Sequence, residues 1–528
     1  MTETIILGLD GATWDLLDPL IESGKMPNIE SLLAEGYSGT LESTFPPITA
    51  PAWLSMATGQ NPGKTGVFYF LNRTSPDSFE FESMGGEDFN GRSFWDILNA
   101  AGVSTGIFNF PMLYPTYDVE GFMISGFGAP EDGNFTSPPS LQSELDNVTN
   151  GYEIKVPYAD PKYVERPASL QSDLLEVVQK REAAIEYLLR EKGPDVFFGV
   201  ISATDWAQHY FWRYHDTDHV LHEPSEYSGS LAEIFSRVDE TVGKVADFAR
   251  EEEATLLLVS DHGFGPANGT FYSNEWLERA GFQTSVGTSL VSRLRTEYFP
   301  YLRRALEPVV AAVPLLSDLA ATVGRSVRGS PLDGIDQERS IAFASEQGFT
   351  TGLIYTLSED PADRSAVVDE LRDLCEVRGL DVDIYAPEDL YSGSNIDLAP
   401  DILFEIEDLE YAVDPRASTR DDIFASEPPS PSRSGGHRRD GIYLVSGPDV
   451  EPGEGGRKSL LDIAPTILAR QSLPVPKEMD GIPIEEPFAD EFDVDRAPLS
   501  SLVTDRSHDG DRQNSNEVRD RLEDLGYI

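Results

Sequence analysis

Short runs of apolar, β-branched residues alternate with helical patterns along most of the chain. The apolar runs occupy residues 4–10, 103–110, 195–205, 254–263, 351–357, 401–406 and 440–447. Patterns with a helical period lie between them, with the longest at 174–192 and 231–253. Apolar strands separated by helices are typical of a parallel sheet that is buried on both faces. The sequence therefore predicts an α/β fold with a mostly parallel central sheet and helices on both faces.

Three of the predicted strands end in polar groups that a buried core would not favour. Asp10, Asp205 and the pair Asp261 and His262 stand at the ends of strands. Ligand sites in open α/β sheets lie outside the carboxyl ends of the strands. We therefore expect these three carboxylates to meet at one edge of the sheet.

Thr49 lies among three prolines in the stretch STFPPITAPAWLSMATGQNPGKTG, residues 43–66. Proline fixes φ and removes a backbone donor, so the chain here is neither mid-helix nor mid-sheet. A short helix that ends at Gly59 would leave Thr49 exposed at or just before a helix N-terminus, where an anion is favoured. Taken alone, Thr49 also fits an ordinary N-cap hydroxyl.

Two further histidines have the surroundings expected of metal ligands. Asp205 and His209 are four residues apart and share one face of a predicted helix, and His437 follows two glycines just before a strand. Each pattern alone also fits solvated residues. Carboxylates and imidazoles in this ratio suit zinc or another borderline divalent metal, and six ligands would hold two cations. The full set is Asp10, Thr49, Asp205, His209, Asp261, His262 and His437.

Another histidine cluster consists of His215, His219 and His222. The segment that contains it is polar, and polar segments mostly lie at the surface. The cluster is therefore predicted to be a solvated helix or loop face and not a further metal site.

The order and spacing of these residues resemble the alkaline phosphatase superfamily, specifically its branch of type I phosphodiesterases, nucleotide pyrophosphatases and related phosphohydrolases or phosphomutases. The resemblance covers most of residues 4–470. The matching motifs are GLDGATWDLLDPLIESGKMPNIESLLAEG, FPPITAPAWLSMATGQNPGKTGV, TDWAQH, SDHGF, GGHRRDGIYLVSG and LLDIAPTIL. It implies an alkaline phosphatase-like fold with Thr49 as the nucleophile.

The resemblance also implies two metal sites. One cation would be bound by Asp205, His209 and His437, and the second by Asp10, Asp261 and His262, with Thr49 facing it. Zinc is the expected metal, with manganese as the alternative. The implied activity is hydrolysis of small-molecule phosphate esters through a phosphothreonine intermediate. A phosphomutase or phosphomonoesterase of the same superfamily and a catalytically inactive metal-binding partner protein remain the alternatives.

The substrate-binding residues are less well marked than the metal ligands. Many phosphodiesterases of the family have an Asn soon after the nucleophile helix that donates to a phosphate oxygen. Here the region reads GVFYFLNR, and Asn72 comes slightly late. Asn274 in GTFYSNEWL is a second amide near a metal motif. These two residues are the candidates for substrate binding.

The chain is strongly acidic, with 92 Asp and Glu against 40 Lys and Arg and a formal charge of -52. Such a surface repels duplex nucleic acid and anionic membranes. The acidic residues are spread along the whole chain, which predicts a halophile's protein that works where salt screens charges beyond about 3 Å. The single cysteine, Cys375, excludes an intramolecular disulfide.

The N-terminal residues MTETIILGLDG lack the basic and long apolar regions of a signal peptide. No run reaches the roughly 18 apolar residues of a membrane span. A cytoplasmic location is therefore expected, and the oligomeric state is left open.

We expect three regions along the chain. Residues 1–282 and 341–487 form the catalytic domain, and 488–528 form a polar tail with a short terminal helix. Residues 283–340 are predicted to form a helical insertion, which would act as a lid, a peripheral membrane contact or a dimer contact. Before residue 330, its cationic residues are Arg293, Arg295, Arg303, Arg304, Arg325 and Arg328.

Overall fold

The computed structural model describes residues 2–76, 80–164, 166–285, 334–345, 349–416, 422–489, 492–503 and 515–525. Most of the predicted insertion, including its six arginines before residue 330, lies outside these ranges. The middle of the predicted tail lies outside them as well. The predictions for those segments therefore stay predictions.

The strands are numbered in chain order. They are β1 Thr4–Leu9, β2 Tyr37–Glu42, β3 Leu71–Arg73, β4 Phe81–Ser83, β5 Thr105–Phe110, β6 Gly121–Ser125, β7 Thr136–Ser137, β8 Val196–Ile201, β9 Thr255–Val259, β10 Gly263–Pro266, β11 Gly269–Tyr272, β12 Ala342–Ala344, β13 Gly352–Thr356, β14 Val382–Tyr385, β15 Ile402–Ile406, β16 Tyr411–Asp414, β17 Phe424–Ala425, β18 Gly435–Arg438, β19 Asp440–Ser446, β20 Gly453–Glu454, β21 Lys458–Ser459, β22 Val475–Pro476 and β23 Arg496–Ala497.

The helices are numbered in the same way. They are α1 Trp14–Glu22, α2 Pro27–Glu35, α3 Thr49–Thr58, α4 Pro62–Thr65, α5 Gly86–Phe89, α6 Phe94–Ala100, α7 Leu141–Thr149, α8 Pro161–Val164, α9 Pro167–Tyr187, α10 Ala203–His215, α11 Ser230–Glu252, α12 Ser273–Ala280, α13 Pro361–Arg378, α14 Pro387–Leu390, α15 Ile463–Arg470, α16 Leu499–Leu502 and α17 Ser515–Leu525. None of these helices combines the length and the apolar character that crossing a membrane requires.

A central sheet organises the molecule, with strand order β20-β2-β19-β9-β1-β8-β5-β6-β7. The five strands from β9 to β6 are mutually parallel, whereas β19, β2 and β7 pair antiparallel at the two sides. Strands β1, β5, β8 and β9 are buried at every residue, so both faces of this part of the sheet are covered. The predicted mostly parallel α/β sheet is confirmed.

A second sheet corrects part of the sequence interpretation. The runs at 351–357 and 401–406 were expected to join the parallel sheet, but they form β13 and β15 of an antiparallel sheet ordered β12-β13-β15-β14. These strands pack with α13 in a separate apolar cluster that includes Ile354, Leu371 and Phe404. An apolar run reveals burial and strand character, but it does not reveal which strand it pairs with.

Helix α3 lies against the central sheet and is buried at all ten residues. Gly8 of β1 allows this contact, because a Cβ atom there would lie only 2.4 Å from Cη2 of Trp53. The helix ends at Gly59, which adopts the left-handed conformation with φ of 62°, as predicted. Close packing of α3 on β1 fixes the start of the helix relative to the end of that strand.

Helix α17 is the last described element. Its apolar residues Val518, Leu522 and Leu525 are buried in the main core, and the helix contacts β4. The chain therefore returns to the body of the protein near its C-terminus.

Candidate active site

Three neighbouring strands bring the predicted carboxylates together. Asp10 directly follows β1, Asp261 comes two residues after β9, and Asp205 lies in the first turn of α10, which follows β8. Because β1 lies between β9 and β8 and all three are parallel, their carboxyl ends share one edge of the sheet. All three side chains are completely buried. The sheet thus concentrates acidic groups at one point inside an apolar core.

Asp205, His209 and His437 form the first group of possible metal ligands. Asp205 and His209 are one turn apart on α10, with 3.4 Å between Oδ1 and Nε2. His437 reaches them from β18, and its Nε2 lies 3.1 Å from both Asp205 Oδ1 and His209 Nε2. Ligand atoms from two separate elements therefore converge on one point.

A second group adjoins the first and shares a residue with it. Asp10, Asp205 and His262 offer ligand atoms within 4.8 Å of one another. His262 Nε2 lies 3.7 Å from Asp10 Oδ1 and 3.3 Å from Asp261 Oδ2. The other oxygen of Asp261 accepts a hydrogen bond from the Gly11 amide at 3.1 Å. Asp205 thus stands between the two groups, whereas the family pattern assigns it to one.

The three histidines are all held in the same tautomer by backbone carbonyls. The Nδ1-to-oxygen distances are 2.9 Å for His209 with Gly435, 3.0 Å for His262 with Gly263 and 2.9 Å for His437 with Pro47. A carbonyl only accepts, so Nδ1 carries the proton and Nε2 keeps its lone pair. Nε2 atoms of His209 and His437, 3.1 Å apart, then face each other without a proton between them. A cation at that point would satisfy both lone pairs.

The buried carboxylate oxygens at the site also favour binding of a cation. Neither oxygen of Asp10 accepts a well-formed hydrogen bond from the described residues, and neither does Oδ2 of Asp261. Burial, together with the charges of Asp261 and Asp205, raises the pKa of Asp10 well above its usual range. Burial also raises the pKa of Asp261 to about 7. The residues therefore fit divalent metal ions coordinated by carboxylate oxygen and imidazole nitrogen.

Burial also favours the form that binds metals for two of the imidazoles, those of His262 and His437. It lowers the pKa of His262 well below the usual value, with the nearby His437 charge acting in the same direction. It lowers the pKa of His437 too, and Asp205 only partly offsets this effect. Neutral imidazole is the form of histidine that coordinates a metal.

Thr49 is the first residue of α3, and its Oγ1 lies 3.3 Å from Nε2 of His262. The prediction that Thr49 is exposed was wrong, since the residue is fully buried with the rest of the helix. Ile48 occupies the N-cap position, and no side chain caps the helix, so Thr49 is not an ordinary N-cap hydroxyl. Its hydroxyl therefore lies beside the second ligand group at a helix N-terminus.

The proline-rich loop before Thr49 also supports the metal ligands. The Pro47 carbonyl is the one that holds Nδ1 of His437, and the Phe45 carbonyl accepts a hydrogen bond from the Tyr391 hydroxyl at 2.6 Å. One short segment thus carries Thr49 and orients a histidine on a different element.

Two residues of the site were missed by sequence reasoning. Tyr158 stacks on the His209 ring, with centroids 5.2 Å apart and an angle of 6° between the planes. Gln208 is fully buried and donates to the Gly11 carbonyl at 2.8 Å. Gln208 lies within the TDWAQH motif and could have been singled out there. Tyr158 lies in no motif, and no sequence signal marked it.

The two asparagines proposed to bind substrate are engaged elsewhere. Asn72 Oδ1 accepts from the amides of Phe68 and Tyr69 at 2.7 and 3.1 Å, and its Nδ2 donates to the Tyr69 carbonyl. Asn72 therefore organises a turn.

Asn274 is committed in the same way. Its Nδ2 donates to the Pro415 carbonyl at 2.9 Å, and its Oδ1 accepts from the Ala344 amide at 2.8 Å and from Gln283 at 2.9 Å. It joins α12 to β12, which is a structural role.

The cluster of His215, His219 and His222 is not a solvated face, and that prediction was wrong for His219. His219 is 3% exposed, and its Nε2 lies 3.1 Å from the Ala267 carbonyl and 2.9 Å from the Ser434 carbonyl. His215 and His222 are partly buried. Carbonyls inside the fold supply the acceptor that solvent would otherwise provide. The ligand groups found in the described part of the chain do not include these residues.

Comparisons with known proteins indicate the family and the fold. A family model described as type I phosphodiesterase / nucleotide pyrophosphatase matches residues 4–421. Among solved structures, phosphonoacetate hydrolase from Sinorhizobium meliloti 1021 in complex with phosphonoformate is similar, with a TM-score of 0.50 and 14% identity over 84% of this chain and 89% of that chain. At that identity the likeness shows the fold alone. A search of curated proteins gives no significant match.

Proposed function

Because the chain belongs to the type I phosphodiesterase / nucleotide pyrophosphatase family, we propose that it is a metal-dependent hydrolase of small phosphate esters in which Thr49 is the nucleophile. Members of this family are phosphoester hydrolases, so the chain is an enzyme of that class. The observation that carries the proposal is the position of the Thr49 hydroxyl, 3.3 Å from His262 Nε2 at a buried Asp and His cluster.

We assign the cations as the family pattern implies. One is held by Asp205, His209 and His437, and the other by Asp10, Asp261 and His262. The nitrogen and oxygen donors favour zinc, with manganese as the alternative. Such ions lower the pKa of a nearby hydroxyl and stabilise the negative charge that develops on the phosphoryl oxygens.

The chain's own groups act in two steps. The Thr49 hydroxyl loses its proton, Oγ1 bonds to phosphorus, and the bond from phosphorus to the ester oxygen breaks, so that the alcohol leaves with a proton and a phosphothreonine remains. Water then bonds to phosphorus, the bond between phosphorus and Oγ1 breaks, and Oγ1 regains a proton. The backbone amides at the start of α3 lie where they favour the phosphoryl anion. Each in-line displacement inverts the configuration at phosphorus, so the net result is retention.

The experiment compares two threonines of the same helix. Thr49→Ala and Thr58→Ala both remove a buried hydroxyl from α3, but Oγ1 of Thr58 is engaged with backbone groups: it donates to the Leu54 carbonyl and accepts from the Gln60 amide. Hydrolysis of bis(p-nitrophenyl) phosphate is measured at multimolar salt with zinc or manganese, together with bound metal. We expect Thr49→Ala to lose about 1,000-fold or more in kcat while it keeps its metal, and Thr58→Ala to stay within about threefold.

Three other results would contradict the proposal or one of its parts. Undiminished turnover by Thr49→Ala would remove Thr49 as the nucleophile. Bound metal without turnover by the wild-type protein would favour the inactive metal-binding partner considered from the sequence. Turnover that does not depend on added or bound metal would contradict the proposal as a whole.

A phosphomonoesterase is the second candidate, and one observation favours it. The amide that many family phosphodiesterases direct at the phosphate has its nearest counterpart in Asn72, which is engaged in a local turn. The same assay with p-nitrophenyl phosphate separates the candidates. A higher kcat/KM for the monoester would favour phosphomonoesterase, and a higher value for the diester would favour phosphodiesterase.

A further inference from the structure

Arg433 is a partly buried cation close to the site that the proposed chemistry does not use. It ends the 3₁₀ turn Pro431–Arg433, four residues before the ligand His437. Its guanidinium carbon lies 5.2 Å from the centroid of the Phe349 ring. Within the described part of the chain, its side chain forms no hydrogen bond or ion pair. In a protein with 92 acidic residues and 40 basic ones, an arginine that pairs with none of the described carboxylates needs a reason.

Two aromatic side chains connect Arg433 to the metal ligands. Phe349 lies edge-on to the His209 ring at 5.5 Å, and Tyr158 stacks on the same ring at 5.2 Å. Burial raises the pKa of the Tyr158 phenol, and the nearby Arg433 charge partly opposes this effect. A single aromatic ring, that of Phe349, therefore lies between Arg433 and His209 of the first ligand group.

The backbone next to Arg433 is hydrogen-bonded to α10, the helix that carries the metal ligands Asp205 and His209. The Ser434 amide donates to the His209 carbonyl at 2.8 Å, and the Ser434 hydroxyl donates to the carbonyls of His209 and Tyr210 at 3.0 and 3.1 Å. The next carbonyl, that of Gly435, holds the His209 ring. Arg433 thus lies on a segment that is hydrogen-bonded to the helix carrying Asp205 and His209.

The nearby acidic group is already engaged. The charge of Asp414 acts on Arg433, but both Asp414 oxygens accept hydrogen bonds from Arg416, with Nε at 2.8 and 3.0 Å. Arg416 also adds a second positive charge near Arg433. Arginine stays protonated in proteins, so its charge persists without a full partner.

We propose that Arg433 binds a second anionic group of the substrate, a carboxylate or a phosphate that does not itself react. The inference rests on the proposed function, because it assumes that a phosphate ester binds at the Asp and His cluster. The planar guanidinium matches both anions with two parallel hydrogen bonds. Phe349 and Tyr158 contact His209 and are also near the Arg433 charge, so the second group would lie one ring away from the reacting phosphorus.

The test uses two diesters that differ only in a remote charge, 4-nitrophenyl phenyl phosphate and 4-nitrophenyl 3-carboxyphenyl phosphate. Wild type, Arg433→Gln and Arg433→Lys are compared with the control Arg372→Gln, which alters an exposed arginine paired with Asp369 on α13. Wild type should prefer the carboxylated ester by about 10-fold or more in kcat/KM. Arg433→Gln should lose about 10- to 100-fold more on that ester than on the neutral one, mainly through KM.

The remaining outcomes decide between the two proposals. Arg433→Lys, which keeps the charge but not the planar fork, should fall between wild type and Arg433→Gln, and Arg372→Gln should match wild type. No preference by the wild-type protein, or equal loss on both esters in Arg433→Gln, would overturn this inference and leave the proposed function standing. Failure of wild type to hydrolyse these two diesters while it hydrolyses p-nitrophenyl phosphate would overturn this inference alone, and failure on all three esters with metal present would contradict the proposed function as well.

Discussion

At the scale of single residues, each histidine of the site donates from Nδ1 to a backbone carbonyl, and its Nε2 faces the carboxylates, where a cation would bind both. The ligand types could be predicted, because residues such as Asp10 and Asp261 stand where apolar strands end. The partners of Nδ1 could not, because the Pro47 carbonyl that holds His437 is 390 residues away in sequence. The sharing of Asp205 by both ligand groups also depends on side-chain positions in three dimensions.

The raised pKa of Asp261 makes a prediction about metal and pH. In the metal-free protein this pKa is about 7, well above that of an unfolded chain, so the folded state holds the extra proton. The resulting stabilisation is complete below the unfolded pKa and is lost as the pH rises through about 7. Metal ions should therefore raise the melting temperature more at about pH 8 than at about pH 5.

Thermal melts of chelator-treated protein with and without zinc or manganese check this expectation. In Asp261→Asn the side chain does not titrate, so the difference between the two pH values should shrink. A metal-induced shift of equal size at both pH values in the wild-type protein would contradict the assignment of a cation to these carboxylates.

At the scale of elements, the second sheet supports the nucleophile loop. Tyr391, which follows α14, donates to the Phe45 carbonyl, and Arg439 lies over the Phe45 ring at 4.4 Å while it pairs with Glu405 of β15. Strands β13 and β15 of this sheet could be predicted from their apolar runs, whereas β12 and β14 were not among the predicted strands. Their antiparallel pairing could not, since it depends on contacts such as that between Leu353 and Leu403, 50 residues apart.

This contact predicts an effect on catalysis from outside the ligand set. Tyr391→Phe removes the 2.6 Å hydrogen bond to Phe45, and Tyr443→Phe removes a comparable 3.2 Å bond to Gly456 in the central sheet. Both variants should lose about 1 kcal/mol of stability. Only Tyr391→Phe should lower kcat, by about 3- to 10-fold, because it loosens the loop that carries Thr49.

Melting temperatures, kcat and bound metal, measured for both variants, separate the two effects. Metal content should be unchanged, because neither tyrosine contacts a ligand through its hydroxyl. Equal kcat in Tyr391→Phe and Tyr443→Phe would show that the hydrogen bond to Phe45 does not position the nucleophile.

At the scale of the whole molecule, the formal charge of -52 dominates. Surface carboxylates in such excess repel one another and destabilise the compact state when salt is low. Screening shortens the reach of each charge from about 10 Å at 0.1 M salt to about 3 Å at 1 M. The composition therefore predicts a protein whose stability rises with salt, which no single element of the fold reveals.

A melting series in KCl tests this prediction. The melting temperature should rise steadily between about 0.1 and about 3 M, mostly below 1 M where screening changes fastest. Sucrose serves as the uncharged control, since it favours compact states without screening charge. A melting temperature that stays constant or falls as KCl increases would contradict the halophilic interpretation.

The central claim is that Thr49 carries the phosphoryl group during metal-dependent ester hydrolysis. The most direct measurement is acid quenching of the enzyme during turnover of p-nitrophenyl phosphate, followed by mass spectrometry of the peptide that contains Thr49. The account predicts a phosphoryl group on Thr49 of the wild-type protein and none on this peptide in Thr49→Ala. A phosphoryl group on a different residue, together with full turnover by Thr49→Ala, would contradict it.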